Sequence, residues 1–248
     1  MKYEYILKAI EQELQKCTVT LKSIRKQISP IIKNITDSEE EYETLMNTIS
    51  YWYRDHWNSE KEYLQYLTYD GKSYETSGKE NIVDVTDEMQ EHKGEYLLSI
   101  HNHPNGSCLQ SQGDIDTQAT LTLEKYGITI GKDGVIINKN TDFNIDNSYG
   151  GFAEKWTNEI LIKEFEQTSQ FKALEEKFNK RDKVTDHDAI IKNIEEYEDE
   201  YCTLLGDYIV KQNNTGKWVE LLNENYAYAT SNGFPVSFEA TYIPIKRN

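Results

Sequence analysis

The sequence predicts a chain of the α/β (α+β) class, a sheet flanked by helices with helical additions at both ends. Three patterns predict it. Apolar residues recur every three or four positions from Ile6 to Ile28. Aromatic and aliphatic runs broken by turn residues fill the middle of the chain, from Glu62 to Ile137. Helical periodicity returns after Phe152. The expected segments are a helical 1–58, a 59–150 domain carrying the strands, and a helical 151–248 with short terminal strands. The composition shift at Gly150-Gly151 marks the second boundary.

In the first segment Ile6, Ile10, Leu14, Cys17, Leu21, Ile24 and Ile28 are spaced 4, 4, 3, 4, 3, 4, a heptad-like stripe. It suits packing on the chain's own domain, or self-association and partner binding. Pro30 is expected to end or kink this helix. A second helix is expected from Ser38 to Tyr53. Glu39 to Glu41 fall in its first turn, where the dipole favours carboxylates, and Tyr42, Leu45, Met46, Ile49 and Trp52 share one side.

A strand over Glu62–Tyr69 ends at the hairpin signal Asp70-Gly71, with Lys72–Thr76 as its return. Asn81–Val85 reads as a short strand, and Thr86 as the cap of a helical turn to Glu91. Tyr96–Ile100 is an apolar run of the kind buried in a sheet. Ser111–Tyr126 reads as a helix with Ile115, Ala119, Leu121 or Thr122, and Leu123 apolar, stopped by Gly127. Ile128–Ile130 and Val135–Ile137 flank the turn Gly131-Lys-Asp-Gly134. Helices are expected over Phe152–Phe178 and Asp186–Lys211. The last thirty residues, with Tyr226, Tyr228, Phe234, Phe238 and Tyr242, read as short strands or an ordered tail.

Composition narrows the function. The 248 residues carry 27 Lys and Arg against 43 Asp and Glu, a net charge of −16, which opposes binding to a phosphate backbone or an anionic membrane surface. A DNA-associated role is weakened on the same ground. Cys17, Cys108 and Cys202 form no CxxC pair, so neither a disulfide framework nor a cysteine-rich zinc module is expected. No stretch approaches the roughly 20 apolar residues of a membrane span, and Met1-Lys-Tyr-Glu-Tyr5 lacks a signal-peptide core. The expected setting is cytoplasmic; delivery in a phage particle would leave no trace in such features.

The chemistry concentrates at His101–Asp114. Residues i and i+2 of an extended segment point to one side, so His101 and His103 can present two imidazoles to one ion. Pro104 stops the strand there. Asp114 falls in the first turn of the next helix, after a ten-residue loop that can return it to the strand end. Two imidazoles and a carboxylate suit Zn2+ and leave a fourth position for water, the arrangement of a catalytic site. Ser111, three residues before Asp114, suits a capping box whose hydroxyl also faces the site.

The combination His-x-His-Pro and Ser-x-x-Asp, with ten residues between His103 and Asp114, resembles the JAMM motif of the MPN+ (JAB-domain) zinc metalloproteases. Ile100-His-Asn-His-Pro-Asn-Gly106 is similar to RadC-like members and to JAB domains of phages and mobile elements. The resemblance covers roughly residues 62–137. It implies a JAB/MPN-like (cytidine-deaminase-like) mixed sheet and hydrolysis of peptide or isopeptide bonds, often on ubiquitin-like proteins. It also implies zinc on His101, His103 and Asp114, with Ser111 stabilising the tetrahedral intermediate. The general acid/base would be a glutamate from an earlier strand. Glu62 fits that place because it opens the first convincing strand; Glu60 is the near competitor. The alternative is a non-catalytic interaction or virion-assembly module that keeps the fold. Cys108 lies in the motif loop, within reach of a metal. His56 and His92 are expected as second-layer or surface groups, and His187 as a surface group.

Overall fold

A computed structural model describes residues 20–79, 83–104, 106–180 and 187–246. Ile6, Ile10, Leu14 and Cys17 of the apolar stripe lie outside the described residues. The first helix among the described residues, α1 (Leu21–Ile35), is capped by the Thr20 hydroxyl, which accepts from Ser23 N, and it carries Leu21, Ile24 and Ile28 of the stripe. Pro30, expected to end or kink the helix, does not end it: the helix runs on to Ile35. Pro30 is exposed, as is Lys26, whose carbonyl it leaves without a partner, while Ile24, Ile28 and Ile32 are fully buried on the opposite side and hold both halves down. Helix α2 (Glu39–His56) is capped by Ser38, whose hydroxyl accepts from Glu41 N, and it buries Leu45, Met46, Ile49 and Tyr53.

Six strands make one mixed sheet: β1 (Tyr63–Thr68), β2 (Ser73–Ser77), β3 (Tyr96–Asn102), β4 (Tyr126–Gly131), β5 (Gly134–Asn140) and β6 (Phe238–Pro244), in the order β2-β1-β3-β4-β5-β6. Only the β3–β4 pair is parallel; its crossover is the segment that carries Asp114. Helix α3 (Asp87–Glu91) is the expected turn, capped by Thr86. Of the strand expected over Asn81–Val85, Asn81 and Ile82 lie outside the described residues; residues 83–85 are not in a strand, and Val83 and Val85 pack with Leu64, Tyr66, Met89 and Tyr96 beside the β1–β2 hairpin.

The crossover departs from the expected single helix. Helix α4 (Gln112–Asp116) passes into a π-helical turn, Thr117–Thr122, which stops at Leu123 with φ 57°. The wider turn, with Leu123 N donating to Gln118 O at 3.1 Å, leaves Leu121 exposed and turns Gln118 and Thr122 inward. Tyr126 and Gly127 belong to β4, so Gly127 is no helix stop. A Cβ there would come within 2.5 Å of the Gln118 amide, which explains the glycine.

Helices α5 (Gly150–Phe165), α6 (Ser169–Asn179), α7 (His187–Asn214) and α8 (Lys217–Ser231) follow. The expected helix over Phe152–Phe178 is divided, with Thr168 capping α6 through Phe171 N. Tyr226 and Tyr228 sit in α8 rather than in strands or a tail: Tyr226 is buried against Phe238, while aromatic content alone suggested strands. Residues Phe238–Pro244 add the edge strand.

The sheet is thus covered on both faces. One core joins Ile24, Ile28, Ile32, Leu45 and Ile49 to Leu98, Ile100, Ile128, Ile130, Val135 and Ile137. A second joins Ile115, Ala153, Leu161, Trp218 and Leu222 to Ile136, Phe238 and Ala240. No helix among the described residues is long and apolar enough to cross a membrane.

Candidate metal centre

Strand β3 extends through His101 to Asn102, two residues beyond the apolar run. His101 is 7% exposed and His103 half-buried, and their Nε2 atoms lie 3.2 Å apart. Asp114 meets both, Oδ1 at 3.4 Å from His101 Nε2 and Oδ2 at 3.6 Å from His103 Nε2. The capping box forms: Ser111 Oγ accepts from Asp114 N at 3.2 Å, and Asp114 Oδ2 accepts from Ser111 N at 2.7 Å. The Ser111 hydroxyl also donates to Asp114 Oδ2 at 2.9 Å. The cap therefore aims the carboxylate at the histidines.

Glu62 joins from β1's side. It is 6% exposed, and one ligand atom each from Glu62, His101 and His103 lie within 4.8 Å of one another, a group that can hold a metal ion. Two carboxylates thus flank the histidine pair; Asp114 is in closer contact, with an oxygen facing each ring. Glu60 is exposed and is not in that group. The difference has a structural cause. Leu64 pairs with His101 across β1 and β3, and Asn102 clamps the approach to β1: its Oδ1 accepts from Tyr63 N at 2.8 Å and its Nδ2 donates to Lys61 O at 2.9 Å. Glu62 is held between those two contacts. Asn102 was not anticipated. Its only sequence signal is a polar residue between the two histidines at the end of an apolar strand.

Asp133 was also missed. His103 Nδ1 donates to Ser107 O at 2.9 Å; a carbonyl only accepts, so Nδ1 carries the proton and a neutral ring turns the Nε2 lone pair toward the centre. Asp133, in the β4–β5 turn, fixes that loop by accepting from the Ser107 hydroxyl and from Cys108 N at 2.7 Å, and it also accepts from Asn213 at the end of α7. Gly131 permits the approach, since a Cβ there would lie 2.3 Å from Cys108 N. Cys108 itself is fully buried in the second core, bonded to Asn213, and is turned away from the histidines. His92 pairs with Glu95, His56 packs on Trp52 and Tyr63, and His187 is exposed.

Charge coupling follows the geometry. Burial alone would raise the Asp114 carboxyl, but His101 and His103 outweigh it and hold it well below the usual range. Burial would lower His103, yet Asp114 drives it upward. Burial pushes Glu62 up, against the opposing charge of the two histidines.

No protein-family model, curated protein or solved structure matches this chain.

Proposed function

We propose that the chain is a zinc-dependent hydrolase of the JAMM type, with a JAB/MPN-like fold, acting on peptide or isopeptide bonds of a protein or peptide substrate. The observation that carries the reading is the convergence of His101 Nε2, His103 Nε2 and Asp114 beside a buried Glu62. A tetrahedral zinc with bonds of about 2.0–2.1 Å sets its ligand atoms about 3.3 Å apart. The 3.2 Å between the two imidazole nitrogens fits that ion, and Asp114 presents one oxygen to each ring, at 3.4 and 3.6 Å, either of which would take the third position. The His103 tautomer fits as well, because its lone pair faces the centre.

His101, His103 and Asp114 would hold the ion. Zinc supplies Lewis acidity, polarising an amide carbonyl and lowering the pKa of water to about 7. Glu62 is the general acid/base: its carboxylate takes the proton of the attacking water and returns it to the leaving amine. Ser111, at the exposed rim, would turn its one hydroxyl proton from Asp114 Oδ2 to the carbonyl oxygen as negative charge develops there.

Metal analysis of purified protein and a cleavage panel of peptides and ubiquitin-like conjugates test the reading. About one zinc per chain is expected, lost in the His101→Ala/His103→Ala double variant with its circular dichroism intact. Glu62→Gln should retain zinc and lose about 10²–10⁴ in kcat. Full zinc content in the double variant would remove the centre. Zinc binding without turnover on any substrate would favour the non-catalytic module.

A further inference from the structure

The polar surface continues inward from the metal centre. A cavity of about 70 Å³ lies against the same sheet face. The strand register orders its walls: Leu64 and His101 share one row, and Tyr66, Ser99 and Gly127 the next. Glu62, His101 and Asp114 therefore border one end, and Ser99, Gln118 and Glu124 the other. Leu64, Val83, Val85 and Ile128 supply aliphatic wall between them.

Two buried groups at the inner end call for a donor. Gln110 is 4% exposed, and its Nε2 donates to Gly127 O at 3.3 Å, which assigns the other amide atom as oxygen. That Oε1 has no hydrogen-bond partner among the described residues and almost no accessible surface, so it meets a ligand only once the amide turns toward the cavity. Glu124 is 2% exposed and accepts from Ser99 Oγ at 2.6 Å and from the Thr122 hydroxyl; no lysine or arginine pairs with it among the described residues. Burial pushes its carboxyl up against those two hydrogen bonds, the mark of a disfavoured charge, and a cation would favour the charged form. At about 10–15 Å³ per water-sized group, the cavity admits about five to seven. A lysine side chain, four methylenes and an ammonium, fits within that size.

We propose that this cavity is the specificity pocket of the centre and takes a lysine side chain of the substrate, with its methylenes along the aliphatic wall and its ammonium donating to Glu124 and Gln110 Oε1. The word substrate rests on the hydrolase reading; the pocket itself does not.

The test is a ¹H–¹⁵N NMR titration of the full chain with n-butylammonium chloride and, separately, with n-butanol, each with and without zinc. Saturable shifts at Ser99, Gly127 and the Gln110 side-chain amide are expected with the ammonium, binding at least tenfold tighter than the alcohol. Glu124→Gln should erase that preference, and Leu64→Trp, which fills the cavity, should abolish both responses. Equal affinity for the two probes, absence of saturable shifts, or an unchanged preference in a Glu124→Gln protein with a native spectrum would overturn the pocket. If Glu124→Gln does not fold, Gln110→Leu replaces it, with at least a threefold loss of ammonium affinity expected and no loss counting against the pocket. Zinc content measured on the same samples separates the readings: ammonium binding without zinc uptake keeps the pocket and removes the metalloenzyme.

Discussion

Toward α1 and α2 the sheet presents Leu98, Ile100, Ile128, Ile130, Val135 and Ile137, all fully buried. On the same three strands, the alternate positions facing α4, α5 and α8 include Ser99, His101, Gly127, Thr129, Ile136 and Asn138. The first face is held by non-directional apolar burial, for which size and shape suffice. The second depends on named partners. Gln118 and Asn138 exchange two hydrogen bonds of 2.9 Å, Tyr226 OH reaches Asn138 Oδ1 at 3.4 Å, and Ser99 meets Glu124. Each buried polar group left unpaired there would cost about 1–3 kcal/mol. The comparison teaches that stability and site geometry are assigned to opposite sides of one sheet, so the polar side can carry chemistry while the apolar side supplies the surplus.

The largest effect should separate the two faces outright. Ile137→Ala should cost about 2–5 kcal/mol in urea unfolding yet leave zinc stoichiometry of the folded protein unchanged; loss of metal at equal folded fraction would show the faces are coupled. Next comes Glu154, a buried carboxyl of α5 bonded to Asn158, which burial raises from 4.5 to about 7. A raised carboxyl favours the fold only while protonated. Stability should therefore fall as pH rises from about 4.5 through 7, by at most about 3 kcal/mol. Glu154→Gln should flatten that slope; an identical pH–stability curve in the variant would break the assignment. Asp133→Ala should lower zinc affinity about 10–100-fold in competition with a chelator while circular dichroism stays native, because the loop that fixes His103 loses its anchor. The smallest effect belongs to the apolar side's local structure: Ser38→Ala should cost about 1 kcal/mol in thermal unfolding, without a change at the centre.

Much of the centre was legible because its first relations are local. His101 and His103 share a side through strand geometry, and Ser111 with Asp114 forms a capping box through three-residue helix geometry; the structure brings these residues together. Glu62 over Glu60 was a weaker inference, since strand propensity places both near one start. Their separation comes from Asn102 gripping Lys61 and Tyr63 across β1 and β3. The π-helical turn escaped notice because Leu121 and Thr122 both suit an ordinary helix, and only the fit of Gln118 over Gly127 and onto Asn138 selects the wider one. Tyr226 was assigned to the wrong kind of element because aromatic enrichment signals burial in a strand and in a helix alike.

The sequence alone determined the order of most elements, the helix caps at Thr86 and Ser111, and the pairing of two imidazoles with a nearby carboxylate. Backbone geometry repeats over two to four residues, so such relations are written locally. Tertiary structure alone decided which glutamate stands beside the histidines, which nitrogen of His103 is free, that Cys108 faces away, and that Asp133 braces the loop. Those outcomes depend on strand register and on hydrogen bonds between residues tens of positions apart, which no local spacing encodes.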